Sequence, residues 1–412
     1  MKDNKIVILH VFPDGMHFKK SADTYDSVPN VENLYYLFSP DKDFVLKKIQ
    51  DVRVKIITDF KEYVSYFSNP DIDVILFHSL PYQFYYLFDY IDDSKYVVWW
   101  MWGYDIYYAQ GEYSPIVSLD NLYKPLTKQY MEQDEVVLKE SGYNKICRYI
   151  TKFLRLPIRI VRKIKRLRLA MPAPKKSQNE ILARIDSSYA PMNIEYYMVK
   201  EAHPEFKATF FHRPRLAKKP SLSFHKDPGN ILVNHSLSFT NNHLDVFNSL
   251  YDLDIEKDRK FIVPISYGLV GFKGNPENLI NASNMDKDRT IWLTKILPLD
   301  EYDALLNSVT HAVFGMIRQQ ALGNVFLCVL KGVKIYLYKD SVVYKELKKS
   351  GYVCYTIEED LTAESLKLCL REEDARNNYN HYMQVLMSDS PEECWEFLKN
   401  AVAEKRNNLQ ND

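Results

Sequence analysis

Polar side chains follow three apolar segments in the second half of the 412-residue chain, at the points where strands would end. The set consists of Asn234, Ser236, Pro264, Tyr267, Gly268, Arg318, Gln319, Gln320, Gly323 and Asn324. The planar guanidinium of Arg318 suits phosphate oxygens, and a helix that opens near Ala321 offers free backbone N–H groups to them. These groups favour binding of a nucleotide diphosphate without a metal. Because polar residues commonly follow strands, an ordinary structural role is the alternative for each of them.

Three ionisable residues take similar positions in the first half of the chain: His10, His78 and Asp105. A general base must have a suitable pKa and lie within hydrogen-bond reach of the hydroxyl that it activates. Both residue types meet the first requirement, so these three are the candidate catalytic residues; a structural role is the alternative for each histidine. Asp105 ends an aromatic run that contains Trp100 and Trp102, and aromatic rings commonly stack on sugar rings. The run therefore favours a saccharide as the second ligand.

The sequence predicts no metal and no organic cofactor. The phosphate-binding patterns GxGxxG and GxxxxGK[ST] are absent, as are HExxH and GxSxG. DxD triplets occur, but the one at 71–73 precedes its predicted strand, which puts its carboxylates at the wrong end of the sheet for a metal diphosphate. The five cysteines are widely spaced and form no CxxC pair, which argues against a zinc site or a disulfide framework.

Short apolar segments alternate with helix-compatible sequence in both halves of the chain. The predicted strands cover 6–12, 54–58, 74–78, 96–101, 231–234, 261–265, 290–293, 312–317 and 333–338. The predicted helices cover 241–251, 275–282, 300–308, 321–330, 342–350, 364–371, 374–387 and 391–405. This alternation predicts an α/β protein with two doubly wound, Rossmann-like domains that face a central cleft, with ligands at the carboxyl ends of the strands.

The length suits two domains, each of roughly 150–200 residues. We place the first domain at 1–220 and the second at 221–390, with a Pro-, Lys- and Ser-rich linker at 213–227. For 391–412 we predict a helix that returns to the first domain. Lys plus Arg and Asp plus Glu both number 54, so the net charge does not indicate the kind of partner.

A basic insert at 144–176 contains twelve Lys or Arg residues and no acidic residue. Its apolar residues recur at close to helical spacing, and a basic amphipathic helix favours binding to anionic lipid. The candidate membrane-binding residues are Arg155, Arg159, Arg162, Lys163, Lys165, Arg166 and Arg168. Nucleic-acid binding and a solvated basic face are the alternatives. No segment has the pattern of a signal peptide or a membrane-spanning helix, so we expect a cytoplasmic protein.

Several uncommon strings of residues resemble the dTDP-N-acetylfucosamine:lipid II N-acetylfucosaminyltransferase family of enterobacterial common antigen synthesis. They include a WxWGxDxY pattern at 100–107 and further stretches at 231–243, 263–268 and 299–356. The matching residues are Trp102, Gly103, Asp105, Tyr107, Asn234, Ser236, Asn242, His243, Pro264, Tyr267, Tyr302, Leu305, Leu306, Arg318, Gln319, Gln320, Gly323 and Gly332. Ala321 and Asn324 depart from the family pattern, which leaves the identity of the sugar open.

The resemblance implies a GT-B fold and metal-independent transfer of a deoxy-amino sugar from a dTDP-sugar to an undecaprenyl-diphosphate-linked saccharide. This implies a peripheral enzyme of surface polysaccharide synthesis at the cytoplasmic face of the bacterial inner membrane, without a nucleic-acid partner. Trp100, Trp102, Gly103 and Tyr107 would then bind the acceptor, and the strand-end set would bind the sugar donor. Two alternatives remain: a polysaccharide pyruvyltransferase-like enzyme that uses phosphoenolpyruvate, and a non-enzymatic scaffold for membrane surfaces or nucleic acid.

Overall fold

The computed structural model describes residues 5–15, 18–109, 113–140, 172–211, 213–215, 219–268, 272–387 and 389–411. The chain forms two compact units, which we treat separately. Unit 1 comprises Met1–Ser118, Tyr149–Lys218 and Leu386–Asp412, and unit 2 comprises Leu119–Arg148 and Lys219–Val385. No helix in the described residues is long and apolar enough to cross a membrane. The seven basic residues predicted to bind membranes lie outside the described residues.

Unit 1 is built on a parallel sheet that has seven strands within the described residues. The strands are β1 (Ile6–Val11), β2 (Val31–Phe38), β3 (Lys55–Ile57), β4 (Val74–Phe77), β5 (Tyr96–Trp100), β6 (Ser187–Tyr189) and β7 (Thr209–Phe210), in the order β3-β2-β1-β4-β5-β6-β7. Every residue of β4 and β5 is buried, because a parallel sheet is covered on both faces. The strand order reverses direction between β1 and β4, and ligands of open α/β sheets bind outside the carboxyl ends at such a point.

The helices of unit 1 cover this sheet. They are α1 (Phe18–Asp26), α2 (Phe60–Ser65), α3 (Gly103–Ile106), α5 (Gln178–Ala183), α6 (Asn193–Ala202) and α14 (Pro391–Asn411), with 3₁₀ turns at Tyr66–Ser68 and Tyr82–Asp89. Helix α14 packs Cys394 and Leu398 into the same apolar core as Trp100 of β5. Its next turns bring Lys405 to Asp186, with a distance of 2.8 Å between Nζ and Oδ1. Buried apolar contacts and an ion pair thus both attach α14 to unit 1.

Unit 2 is built on a second parallel sheet, with six strands among the described residues. These are β8 (Asn230–Val233), β9 (Phe261–Pro264), β10 (Thr290–Leu293), β11 (Val309–Phe314), β12 (Lys334–Leu337) and β13 (Tyr355–Thr356), in the order β10-β9-β8-β11-β12-β13. Its helices are α4 (Pro125–Glu140), α7 (His243–Tyr251), α8 (Pro276–Ala282), α9 (Leu299–Leu306), α10 (Leu322–Leu330), α11 (Val342–Lys349), α12 (Ala363–Leu366) and α13 (Glu372–Met387), with 3₁₀ turns at Phe239–Asn241 and Phe272–Gly274. The strand order reverses between β8 and β11.

All nine predicted strands are present in this fold, but the sequence does not predict β2, β6, β7 or β13. Strand β6 consists of Ser187, Ser188 and Tyr189, so it carries no apolar run. Its serines are nevertheless buried, because Ser187 Oγ lies 2.7 Å from Thr209 Oγ1 and Ser188 Oγ donates to Trp99 O at 2.9 Å. Predicted helix 364–371 is shorter than expected, since α12 ends at Leu366.

The units also differ from the predicted single division near residue 220, because Leu119–Arg148 belongs to unit 2. Three backbone N–H groups before and at the start of α4 donate to side chains of unit 2. Lys124 N donates to Asn242 Oδ1 at 2.8 Å, and Leu126 N donates to Asp245 Oδ1 at 2.8 Å. Thr127 N donates to Asp245 Oδ2 at 2.9 Å. This pairing of polar groups with a distant helix has no signal in the local sequence.

Candidate functional site

Asn234 joins the two strands at which the order of the unit 2 sheet reverses. It follows β8, is fully buried and has a φ of 59°, in the left-handed region. Its Oδ1 accepts from Gly315 N after β11 at 2.8 Å, and its Nδ2 donates to His243 Nδ1 at 3.0 Å. His243 Nε2 then donates to Ser236 O at 2.7 Å, and burial lowers the His243 pKa to about 4. Both side chains therefore hold the strand ends in place, and the histidine is neutral near pH 7.

Gly315 is the residue that lets the 3₁₀ turn at 239–241 pack directly on the end of β11. A Cβ at this position would come closer than van der Waals contact to Asn241 O and to Val246 Cγ2. Gly315 is not among the residues selected from the sequence. It is a glycine that directly follows the apolar residues of β11, and such a position can indicate that another backbone segment approaches closely.

A chain of amide hydrogen bonds continues from β11 to the loop after β8. Gln320 Nε2 donates to Asn241 Oδ1 at 2.9 Å, and Gln320 Oε1 accepts from Thr240 Oγ1 at 2.9 Å. Asn241 Nδ2 in turn donates to Ser236 O at 2.6 Å and to Ser236 Oγ at 2.9 Å. Since Gln320 and Ser236 are buried inside this network, the structure gives both a positioning role. Pro264 and Gln319 are buried as well.

The same network reaches His235, which is not among the residues selected from the sequence. Its Nε2 lies 3.3 Å from Ser236 Oγ. Its Nδ1 has no hydrogen-bond partner in the described part of the chain. The side chain is 6% exposed, and burial together with His243 and Arg318 lowers its pKa to about 3. A neutral His235 thus has one ring nitrogen available to a ligand at the strand ends.

The accessible members of the predicted set include Tyr267, Arg318 and Gly268. Tyr267 is 45% exposed, and its carbonyl accepts from Leu237 N at 2.7 Å, which joins the loops after β9 and β8. Arg318 is half-buried and donates from Nη1 to Gln319 O at 2.9 Å. Gly268 lies between them in sequence, with a φ of 86° that favours glycine.

Helix α10 begins at an open position. Ala321 precedes it with a φ of 61°, and no side chain caps the helix. A Cβ built on Gly323 would meet no heavy atom of the described residues within 4 Å. Asn324, one residue further, accepts from Tyr302 Oη at 3.2 Å, which ties α9 to this first turn. Exposed N–H groups at a helix start, with Arg318 nearby in sequence, are suited to bind a phosphate group.

In unit 1, a hydrogen-bonded pair of buried histidines lies where the strand order reverses. His10 on β1 is 2.8 Å from His78 after β4, measured from Nδ1 to Nε2. His10 Nε2 donates to Asn33 Oδ1 at 2.9 Å, and Asn33 Nδ2 donates to Asp26 Oδ1 at 3.0 Å, which orients the amide. His10 Nδ1 must therefore accept from His78 Nε2–H. The Nδ1 lone pair of neutral His78 is left available, with no hydrogen-bond partner in the described parts.

Both histidines of this pair are neutral near pH 7 for the same reason. Burial lowers the pKa of His10 to about 4. Burial also lowers the pKa of His78 well below its usual value, and the nearby His10 and Arg213 lower it further. A neutral imidazole with a free lone pair can accept a hydrogen bond from a hydroxyl, which is one of the two requirements for a general base. The lowered pKa makes His78 a weaker base than a free imidazole.

Asp105 is fully buried and holds two loops together. Its Oδ2 accepts from Leu80 N at 3.1 Å, from Trp102 N at 3.2 Å and from Trp99 Nε1 at 3.3 Å. Its Oδ1 has no hydrogen-bond partner in the described part of the chain. Burial raises the Asp105 pKa to about 7, against the effect of these three hydrogen bonds. The carboxyl group thus fixes the loops after β4 and β5.

This raised pKa predicts a specific loss of stability with increasing pH. Between the unfolded value of 3.8 and the folded value of about 7, the folded protein binds more protons at Asp105, so its stability falls as the pH rises. We expect Asp105→Asn, which resembles the protonated form, to gain on the order of 4 kcal/mol relative to wild type between pH 4 and pH 8. Urea unfolding of both proteins across this range measures the difference. The buried histidines are present in both, so parallel curves would contradict the assignment.

The aromatic run of unit 1 lies mainly in the core. The Trp100 ring is 5.6 Å from the Tyr25 ring and 4.8 Å from the His78 ring between centroids, and the Arg213 guanidinium lies 4.3 Å from its centroid. Gly103 and Tyr107 are buried too. The predicted stacking of a sugar on Trp100 therefore does not agree with its position, because protein groups already cover the ring. Trp102 is half-buried, and its Nε1 donates to His78 O at 2.6 Å.

Other aromatic rings near these loops are more accessible. Tyr104 is 41% exposed, and the half-buried Tyr82 and Tyr113 lie with their ring centroids 5.8 Å apart. These tyrosines are not among the residues selected from the sequence, although the high tyrosine content of the chain is a possible signal. No group of three or more His, Cys, Asp or Glu residues that could hold a metal occurs in the described residues.

Two doubly wound parallel sheets, each with helices around it, define the fold as GT-B. The sequence matches no family model and no curated protein. Three solved structures share the fold over nearly the whole chain, each at 9% sequence identity. One is described as trehalose-6-phosphate from E. coli bound with UDP-2-fluoro glucose, with a TM-score of 0.53, covering 97% of this chain and 99% of that chain.

The second is the α,α-trehalose 6-phosphate synthase of Burkholderia multivorans, with a TM-score of 0.52, covering 99% of this chain and 97% of that chain. The third is a trehalose-6-phosphate synthase studied for enzymatic glycosyl transfer with retention through bisubstrate glycomimetics. Its TM-score is 0.53, and the match covers 97% of this chain and 99% of that chain. At this level of identity, the similarity establishes the fold of the chain.

Proposed function

We propose that this protein is a glycosyltransferase that moves a sugar from a nucleotide-sugar donor to an acceptor hydroxyl. The observation that carries the proposal is the strand-end site of unit 2, where Arg318 and the open start of α10 offer positive charge and N–H groups. This site occurs in a chain with the fold of proteins whose descriptions name UDP-2-fluoro glucose and glycosyl transfer. Fold and site chemistry thus support the same class of reaction.

The proposed role of unit 2 is to stabilise the departing nucleoside diphosphate. When the bond between the anomeric carbon and the diphosphate oxygen breaks, negative charge develops on that oxygen. Arg318 and the N–H groups at the start of α10 would offset this charge. Tyr267 and Gly268 would line the path to the nucleotide, whereas Asn234, Ser236 and Gln320 would keep the loops in position.

The proposed role of unit 1 is to bind the acceptor and to receive the proton of its hydroxyl. The lone pair on His78 Nδ1 is the acceptor that the hydrogen-bond network provides. His10 orients His78 through its own Nδ1, while Asp105 fixes the loop that follows β4. His78 is thus the candidate base, and His10 and Asp105 are positioning residues.

For the substrates we propose a dTDP-linked deoxy-amino sugar of the N-acetylfucosamine type and a polyprenyl-diphosphate-linked saccharide. The support is the resemblance at Trp102, Asp105, Tyr267 and Arg318, which are all at or near the two sites. The basic segment 144–176 would hold the enzyme at the anionic cytoplasmic surface of the inner membrane. The product would belong to a bacterial surface polysaccharide.

Calorimetry with dTDP, UDP, GDP and phosphoenolpyruvate, without added metal, tests this proposal on the purified protein. We expect dTDP to bind in the micromolar range and more tightly than UDP or GDP, because the resemblance indicates a dTDP-sugar. Preference for UDP or GDP would retain the glycosyltransferase and reject the proposed donor. Binding of phosphoenolpyruvate without any nucleotide would reject the glycosyltransferase in favour of a pyruvyltransferase-like enzyme.

A further inference from the structure

Arg213 occupies a fixed position just after β7, at the carboxyl edge of the unit 1 sheet. Two residues later, Arg215 N donates to Asp389 O at 2.7 Å, and Arg215 Nε lies 2.9 Å from Asp389 Oδ2. Arg215 Nη2 also donates to Tyr189 Oη at 3.0 Å. These contacts fix the backbone next to Arg213, which restricts the positions that its side chain can take.

The guanidinium of Arg213 lies on the indole ring of Trp100, 4.3 Å from the ring centroid. This cation–π contact uses none of the guanidinium N–H groups as hydrogen-bond donors to an oxygen. The Nε atom is buried without a partner, and within the described residues neither a carboxylate nor a carbonyl accepts a hydrogen bond from this side chain. Arg213 is half-buried, so water reaches only part of it.

The other described arginines of unit 1 with little exposure are paired with carboxylates. Arg53 contacts Asp23, Asp26 and Asp51, and Arg184 Nη1 lies 3.1 Å from Asp186 Oδ2. Arg213 differs because its close electrostatic neighbour is His78, whose pKa the arginine lowers. His78 and His10 are both neutral, and no carboxylate of the described residues forms an ion pair with the guanidinium. A half-buried, unpaired cation with a planar edge of N–H groups is suited to receive an oxyanion.

We propose that Arg213 binds a phosphate or diphosphate group of the ligand of unit 1. The inference rests on the proposed function, in which this ligand is the acceptor, and it specifies that the acceptor carries phosphate. The fork of the guanidinium binds two phosphate oxygens, Trp100 keeps the fork flat against its ring, and His78 lies beside it to accept the hydroxyl proton. An acceptor linked to a polyprenyl diphosphate meets this requirement.

Pyrophosphate and inorganic phosphate are the probes, and the Arg318→Ala protein is the background because it lacks the proposed anion site of unit 2. Calorimetry compares this protein with versions that also carry Arg213→Gln, Arg213→Lys or Lys200→Gln. Lys200 is the matched control, since its ammonium lies 5.3 Å from the Tyr196 ring centroid in the same unit. Circular dichroism and the Tm verify that each variant is folded.

We expect the Arg318→Ala protein to bind pyrophosphate, with affinity reduced at least about tenfold by Arg213→Gln and less by Arg213→Lys, which keeps the charge but loses the fork. Lys200→Gln should leave the affinity unchanged. Equal affinity in the folded Arg213 variants, or no pyrophosphate binding in folded Arg318→Ala protein, would overturn the inference. Acetate separates phosphate recognition from general attraction of anions, and equally tight acetate binding would also overturn it.

Nucleotide binding distinguishes this inference from the proposed function. With Arg318 intact, Arg213→Gln should bind dTDP as wild type does, because the two residues belong to different units. Pyrophosphate binding that depends on Arg213, in a protein that binds no nucleotide, would uphold the anion site and reject the glycosyltransferase. If the protein binds nucleotide but its pyrophosphate affinity does not depend on Arg213, the glycosyltransferase would be supported and the anion site rejected.

Discussion

Arg318→Ala is expected to lower kcat/KM for glycosyl transfer about a thousandfold while leaving the protein folded. Removal of one group that stabilises developing negative charge typically costs 10²–10³ in rate, and a guanidinium contributes both charge and two hydrogen bonds. Arg318 is half-buried, and its backbone lies outside the helices and strands, so stability should change by no more than about 0.5 kcal/mol. Initial rates with a nucleotide sugar, together with calorimetry of the free nucleotide, measure the effect.

Two companion variants sharpen this experiment. Arg318→Lys keeps the charge but not the planar fork, so it should fall between wild type and alanine. Arg376→Ala is the matched control, since Arg376 is an exposed arginine of unit 2 that pairs with Glu372 on the same helix. A rate for Arg318→Ala within threefold of the Arg376→Ala rate would show that the phosphate site has been placed incorrectly.

Gly315→Ala is expected to destabilise unit 2 by about 3 kcal/mol or more, which is at the upper end for overpacking. The added methyl group would collide with the backbone oxygen of Asn241, which cannot rotate away as a side chain would. It would also disturb the hydrogen bond from Gly315 N to Asn234 Oδ1. Chemical unfolding followed by tryptophan fluorescence measures the loss of stability, and nucleotide calorimetry should show that binding is lost with it.

Gly323→Ala provides the contrast, because its Cβ would meet no described atom within 4 Å. Within a helix, alanine is favoured over glycine by roughly 0.5–1 kcal/mol, so this variant should be slightly more stable than wild type. The methyl group would nevertheless occupy the space proposed for the diphosphate and should weaken nucleotide binding about tenfold, a penalty within the range for steric misfit. If Gly315→Ala and Gly323→Ala had the same stability, close packing at Gly315 would be contradicted.

The sequence predicts the strands whose residues are apolar and buried on both faces. It does not predict strands that contain several polar residues. Strands β1, β4 and β5 are recognisable because covering helices require continuous apolar runs. Strand β2 contains Glu32 and Asn33, and β6 consists mostly of serine, so neither shows such a run. Their polar side chains are satisfied by partners far along the chain, such as Asn33 by His10. Hydrophobic patterns carry no information about these partners.

The sequence predicts where the candidate site lies, but not which of its residues can bind a ligand and which hold the loops in place. Strand-end positions indicate Asn234, Gln320 and Arg318 equally, because all three are polar and follow buried strands. Only the structure shows that the two amides are committed to internal hydrogen bonds, whereas Arg318 is partly accessible. The direction in which each side chain points decides whether it is available to a ligand. That direction depends on tertiary contacts such as the close approach of backbone at Gly315.

Helix α14 has a consequence for the order in which the protein folds during synthesis. Unit 1 includes Cys394, Leu398 and Val402 in its core, yet the ribosome adds these residues only after the whole of unit 2. The core behind Trp100 and His78 therefore closes late. A nascent chain carries a first sheet that α14 does not yet cover, while the second sheet is already fully synthesised. Until α14 docks, the apolar residues of the first sheet that it covers in the folded protein stay exposed.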